Sequence, residues 1–373
     1  MKVKIQNLVV RAAVLLALST LNPQLSTAFA QGSLTPPGPP GPNMKTLDQI
    51  EPRTPISSLP YTIANAGSYY LTTNLTGVAG TNGISIIADG VTLDLNGFSL
   101  VGVAGSSNGV YAGAGLTSLA VRNGAARNWG RFGVDLGNAV TSQLLDLRVS
   151  NNGGGGARAG NYAVLTRCSA TVNTTYGLYG GNGSVVEDCT AGFNSGDGLT
   201  VGVGGTIAEC AAYDNTGSGM VAASTSHLRG CTANHNNIGI STAGYCYIEN
   251  CSASLNTLQG IYPNSQTTVL NCAAIENSGD GIVINAFSSV TGCTANNNFG
   301  NGIYASGDDN RIENNCASYN AGQGIKLHAV NTSVVIRNTA AANTGGNLPA
   351  AGSNIGPIQS PASATSPTAN FSL

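Results

Sequence analysis

Eight cysteines fall in a column: Cys168, Cys189, Cys210, Cys231, Cys251, Cys272, Cys293 and Cys316. The steps between them are 21, 21, 21, 20, 21, 21 and 23 residues. An asparagine follows each (Asn173, Asn194, Asn215, Asn236, Asn256, Asn277, Asn298), arriving one place early at Asn320. A glycine comes next, at Gly177, Gly198, Gly219, Gly239, Gly260, Gly281, Gly302 and Gly324, and a large aliphatic residue follows every one. A repeat this short and this regular restricts the chain to a stack of small supersecondary units.

One repeat can be read residue by residue. The place before Cys is Asp188, Gly230, Asn250, Asn271, Gly292 or Asn315, residue types that tolerate a left-handed backbone, so a sharp bend is expected there. Cys then points inward, the next residue outward, and an alanine (Ala170, Ala191, Ala212, Ala233, Ala253, Ala274, Ala295) inward again. The Asn column opens a second turn, in which stacked amides can hydrogen-bond from layer to layer. Gly closes that turn and a strand begins on Leu178, Leu199, Met220, Ile240, Ile261, Ile282, Ile303 or Ile325. A variable turn leads to a third strand such as Val185-Val186. Three short strands and three turns make one coil of an all-β, single-stranded parallel β-helix. Helix pairs need a longer period and less Gly and Asn, and the Leu spacing of a leucine-rich repeat is missing. Ten regular coils run from Leu147, in the Cys place, to Asn343, with Asn338 replacing Cys in the last. Two or three looser coils precede them, for about 12 in all. The interior is narrow, and Phe in place of an inner Cys is expected to overpack it by about 1–3 kcal/mol or more.

The flanks organise simply. Lys2, Lys4 and Arg11, the apolar run Ala12 to Leu21 and the small-x-small Ala28-Phe29-Ala30 read as a signal peptide over residues 1–30, cleaved before Gln31. The apolar run is too short to span a membrane, and no later segment could cross one as a helix. The expectation is an exported protein, secreted, periplasmic or held at the cell surface. Residues 31–43 are a Pro/Gly linker, 44–82 an N-terminal cap with a strand at Ser68 to Leu71, 83–346 the β-helix and 347–373 a C-terminal tail or cap. Nine cysteines in an exported chain normally suggest disulfides. Side chains one coil apart, however, stack at about the 4.8 Å strand spacing, beyond the roughly 3.5–4.5 Å that a disulfide requires between Cβ atoms. The column is therefore expected to be buried thiols serving as small hydrophobes, with Cys246 outside it. A net charge of −2 gives no field that favours nucleic acid.

Val91 to Gly97 and the recurring bend residue, Cys, x, Ala, Asn, Gly, Ile pattern resemble secreted right-handed parallel β-helix repeat proteins of the pectin-lyase-like superfamily. Met44 to Ile56 and Thr368-Ala369-Asn370-Phe371 resemble the flanks of a bacterial exported subgroup of undefined role. The resemblance covers most of the chain after residue 30 and implies a right-handed coil. It does not select an activity, because the superfamily includes lyases, polygalacturonases, epimerases, phage tailspikes and adhesins.

The residue after each inward aliphatic faces out from the strand that carries the substrate groove in the superfamily's enzymes. That column is Tyr179, Thr200, Val221, Ser241, Tyr262, Val283, Tyr304 and Lys326. Tyr179, Tyr262 and Tyr304 suit carbohydrate stacking, although Tyr is also a good strand residue. Arg127-Asn128-Trp129-Gly130-Arg131 holds the only Trp, which could stack a sugar between two arginines or plug a wide early coil. Residues 122–167 are basic and 187–313 acidic, which suits a groove that binds an acidic glycan early or a cation late, although solvated turns are the preferred reading. Asp308 and Asp309, one coil before Lys326 and His328, could do acid–base work. They resemble the paired Asp of polygalacturonases, whose His-Gly and Arg-x-Lys companions are missing here. Asp197 and Asp280 lie in identical Asn-Ser-Gly-Asp-Gly turns, which makes calcium the one cation to consider and no other cofactor implied. The leading expectation is a structural or polysaccharide-binding component whose partner is a matrix or cell-surface glycan. The alternative is a polysaccharide lyase or glycoside hydrolase acting on an acidic glycan.

Overall fold

Three-residue strands that alternate inward and outward side chains cannot bury a core alone, so successive coils stack. The computed structural model describes residues 51–328, 332–350 and 354–373. It is a right-handed parallel β-helix whose described strands form two sheets. The second sheet has 13 strands, one per coil, from Tyr61–Ile63 to Ile325–Leu327, one coil more than the repeat suggests. The first sheet takes two strands from each coil, such as Val185–Glu187 and Thr190–Gly192. In two early coils these two merge into single strands, Ala120–Arg127 and Gln143–Ser150. The expected signal peptide, the linker and the start of the cap lie outside the described residues. The rest of the cap segment already belongs to the coils: Thr54–Ile56 pairs with Gly67–Leu71, and Tyr61–Ile63 with Ile84–Ile86. Residues Asn370–Ser372 pair in parallel with Thr339–Ala341 and extend the stack at its other end.

Every regular coil turns three corners by one device: a single residue in left-handed conformation, then an inward ladder residue. At the first corner Arg167, Asp188, Glu209, Gly230, Asn250, Asn271 and Gly292 precede the cysteines, all with φ between 51° and 68°. At the second, Val172, Phe193, His235, Leu255 and Tyr319 precede the asparagines with φ between 55° and 59°. At the third, Tyr162, Thr225, Tyr245, Gln266 and Phe287, with φ between 56° and 62°, precede Ala163, Ser226, Cys246, Thr267 and Ser288. A left-handed non-glycine residue costs about 1–2 kcal/mol, so these corners persist because the ladders determine them.

The second-corner ladder runs from Asn152 to Asn347. In each step the backbone N–H and the Nδ2 of one Asn both donate to the Oδ1 of the next, as from Asn256 to Asn277 at 3.1 and 2.8 Å. The remaining Nδ2 proton goes to a carbonyl one coil back, as from Asn277 to Ala253 at 3.1 Å. From Asn152 to Asn320 the amides are buried and fully used. The tight stacking explains the glycine column: a Cβ on Gly260 would lie 2.6 Å from Asn277 Nδ2 and 2.8 Å from the Gly281 carbonyl.

The cysteine column is a sulfur version of the same ladder. Cys168 N–H donates to Cys189 Sγ at 3.3 Å and Cys272 N–H to Cys293 Sγ at 3.4 Å. The thiols donate to carbonyls, as Cys168 does to Leu144 at 3.3 Å. All nine cysteines are free. The neighbouring Cys189 thiol and burial hold the Cys168 thiol well above the usual range. One assignment changes. Cys293 N–H donates to Asn315 Oδ1 at 2.8 Å, and Asn315 N–H to Asn338 Oδ1 at 3.0 Å. Asn315 therefore holds the eighth place, Asn314 is its left-handed residue, and Cys316 pairs with Thr294 and Thr339 at the outward place. Asn320 is thus in step, and it is Cys316 that is one place late. Cys246 belongs to the third-corner ladder, where its N–H faces Thr267 Oγ1 at 3.4 Å. Thiol titration without reductant should count nine free thiols in unfolded protein and mainly the half-buried Cys316 in native protein. A count below nine would contradict the stacked-thiol column.

Candidate functional site

The outward places of the second sheet form one aligned column across the coils. It runs Thr62, Ser85, Tyr111, Asp135, Arg158, Tyr179, Thr200, Val221, Ser241, Tyr262, then Val283, Tyr304 and Lys326. The later members match the column read from the repeat. Of the earlier members, Tyr111 and Asp135 fall in coils of variable length, and Arg158 in the first regular coil. Their signal was the same inward–outward–inward triplet, Val134-Asp135-Leu136 and Ala157-Arg158-Ala159.

The early part of the face is a closed electrostatic unit. Asp135 is only 3% exposed. Arg158 donates to it through two nitrogens at 2.5 and 3.1 Å, the fork geometry that suits a carboxylate. The guanidinium lies over Phe132 at 4.9 Å, Phe132 sits 5.9 Å from Tyr176, and Tyr176 sits 5.7 Å from Tyr179. Burial pushes the Tyr176 phenol up to about 12, against a lesser opposing pull from Arg158. Asp135 thus satisfies the Arg158 charge internally.

The later part is open. A cavity of about 260 Å³ lies on this face, lined by Ser241, Thr242, Tyr262, Pro263, Asn264, Asn285 and Ser306. Tyr262 is 44% exposed. None of the seven carries a charge at neutral pH. One coil on, Val283 is buried between the in-register Tyr262 and Tyr304 strands, and Lys326 Nζ lies over the Tyr304 ring at 4.9 Å.

The four acid–base candidates lie on two consecutive coils. Asp308 and Asp309 are exposed in the turn after Ile303–Ala305. Asp309 Oδ1 accepts the Thr332 hydroxyl. Lys326 is engaged with Tyr304, and His328 is exposed in the turn of the following coil. Among the described residues no hydrogen bond or ion pair joins any two of the four. The Trp site also resolves differently from a sugar platform. Trp129 is 1% exposed, its Nε1 donates to the Leu100 carbonyl at 3.2 Å, and its N–H donates to Asn152 Oδ1 at 3.1 Å. It starts the asparagine ladder and plugs the wide early coils, so it cannot stack a ligand. Arg127 and Arg131 are exposed beside it, Arg127 ending a first-sheet strand, away from the tyrosine column.

The charge gradient pairs off in part. Arg122 lies with Asp94, Arg167 with Asp146, Arg229 with Glu187, and Arg311 and Arg337 with the buried Glu313. Asp197 Oδ1 accepts the Ser218 N–H at 2.8 Å, and Asp280 Oδ1 accepts the Asn301 N–H and Nδ2. Both turn carboxylates thus tie one coil to the next. Among the described residues no group of three or more His, Cys, Asp or Glu is placed to hold a metal ion, and no helix is long and apolar enough to cross a membrane.

The chain belongs to the right handed beta helix region family, whose model matches residues 82–229 and 202–315, more than half of its length. No curated protein matches it by sequence. Among solved structures it is similar to the Azotobacter vinelandii mannuronan C-5 epimerase AlgE4 A-module, at 16% identity and TM-score 0.58, over 78% of this chain and 90% of that one. It is also similar to the AlgE6 A-module of the same organism, at 17% identity and TM-score 0.56, over 83% of this chain and 91% of that one. At these identities the likeness is one of fold.

Proposed function

We propose that this protein is an exported polysaccharide-binding β-helix, and that it holds its glycan along the outward face of the second sheet. The observation that carries this reading is the cavity on that face. It combines a half-exposed tyrosine ring with hydroxyl and amide groups, the mixture that suits a sugar's apolar face and its hydroxyls. The fold neighbours named as mannuronan epimerases are consistent with a glycan on such a scaffold. Export rests on the basic and apolar segments before Ala28-Phe29-Ala30. N-terminal sequencing of protein recovered outside the cytoplasm should begin at Gln31.

Affinity electrophoresis through gels containing soluble polysaccharides tests the binding. At least one polymer should retard the protein, and Tyr262→Ala should lose about tenfold in affinity, in the range of an aromatic contact removed. Phe299→Ala, a change at the 74% exposed Phe299 on another corner, should migrate like the parent. No retardation by any polymer, or equal retardation of the parent and Tyr262→Ala, would sink the reading.

A further inference from the structure

Two exposed aromatic rings share the third corner at a fixed spacing. Tyr245 is 62% exposed and Phe287 63%. The strand that follows sets their register: Tyr247 pairs with Thr268 and Thr268 with Ser289. Tyr245, Gln266 and Phe287 therefore occupy one place on three successive coils. All three are left-handed, with φ of 62°, 58° and 56°, so their Cα–Cβ bonds leave the corner in parallel. The row reads ring, amide, ring. Its rings are two coils apart, about 9.6 Å at the strand spacing, close to the length of two β-1,4-linked pyranose rings, about 10 Å. In such a polymer every second sugar presents the same face. A chain lying along the stack would set one apolar sugar face on Tyr245 and another on Phe287, with the hydroxyls of the sugar between them at the Gln266 amide.

The second corner lacks this order. There Phe193, Leu255 and Tyr319 lie three coils apart, with Asp214 and Glu276 between them. The third-corner row is uncharged, as are Tyr247, Thr268 and Ser289 beside it. The uncharged run ends at Asp309, the next left-handed place. A uronate polymer would bring carboxylates against the rings with no free cation to pair with, since Arg311, next along the strand column, is held by Glu313. The row also adjoins the cavity, because Asn264 and Asn285 line the cavity and lie two residues before Gln266 and Phe287. A corner, however, is convex. It cannot enclose a single flexible chain, but it can meet a flat array of chains that are already ordered, where less entropy is lost on binding. Asn tolerates a left-handed backbone better than Tyr or Phe, so the corner's own stability does not call for rings there.

We propose that Tyr245, Gln266 and Phe287 form a second glycan contact, a strip that lays the protein on the surface of an assembled, neutral β-1,4-linked polysaccharide such as cellulose or chitin. The strip goes beyond the binding of a single chain on the second sheet and does not depend on it.

Sedimentation of the full chain with microcrystalline cellulose and with chitin powder tests the strip. The protein should sediment with at least one solid, and molar salt should not release it. The double variant Tyr245→Asn/Phe287→Asn should need about tenfold more solid for the same retention. Its unfolding midpoint should be no lower than the parent's, because Asn suits both corners. Tyr245→Phe, which keeps the ring, should retain binding. Tyr162→Asn should also bind like the parent, because the third-corner place two coils from Tyr162 is Gly204 and offers no second ring. Retention by neither solid, release by salt, or equal retention of the double variant and the parent overturns the strip. Loss in Tyr262→Ala in place of the double variant returns the contact to the cavity and overturns it too. None of these results touches the retardation by soluble polymers that tests the second-sheet face.

Discussion

Asn277→Leu is expected to destabilise the coil stack by on the order of 5 kcal/mol, the largest effect of any single replacement considered for this chain. The side chain makes four hydrogen bonds in a buried column. Its Oδ1 accepts the Asn256 N–H at 3.1 Å and Asn256 Nδ2 at 2.8 Å. Its Nδ2 donates to Ala253 at 3.1 Å and to Asn298 Oδ1 at 3.0 Å. Leucine is similar in size but supplies none of these, and it leaves the Asn256 N–H in a dry corner without a partner. The corner also holds Glu276 at φ 58°, so loss of the ladder frees a strained residue to relax outward. Guanidinium unfolding followed by far-UV circular dichroism reads the change as a lower midpoint. Ser278→Ala, one residue along on the exposed side, should stay within about 0.5 kcal/mol of the parent. Equal midpoints for Asn277→Leu and Ser278→Ala would mean that the ladder does not hold the corners.

Trp129→Ala should cost about 3–5 kcal/mol, the range for deleting a large buried aromatic residue. Nothing nearby can refill the space. A Cβ built on Gly77, Gly83 or Gly109 would lie within 2.8 Å of the indole ring, so glycines surround it. The substitution also strips the Leu100 carbonyl of its indole donor. Because Trp129 is the only tryptophan, fluorescence reports on it alone. In the native parent the emission should be blue-shifted and insensitive to iodide, and it should not change when a glycan binds. A red-shifted, quenchable emission that responds to polysaccharide would restore Trp129 as a ligand contact.

The periodicity of the chain determined the coil, the inward and outward places, the asparagine ladder and the tyrosine column, because each is set by spacing within one coil. The free thiols followed from the same spacing and the geometry of a disulfide. What the repeat could not decide was which residues meet between coils. Cys316 carries the right side chain at the wrong place, and only the hydrogen bonds of Cys293 and Asn338 show that Asn315 occupies the column. Val172, Phe193, Leu255 and Tyr319 sit in left-handed corners that their own propensities oppose, because the ladder beside them outweighs a local preference. Asp135 and Arg158 lie 23 residues apart and meet because they take the outward place on consecutive coils. Trp129 could be a platform or a plug by sequence, and the glycines of neighbouring coils made it a plug. The cavity beside Thr242 and Pro263 has the same origin. Its lining, from Ser241 to Ser306, is brought together from four successive coils only when the strands are stacked.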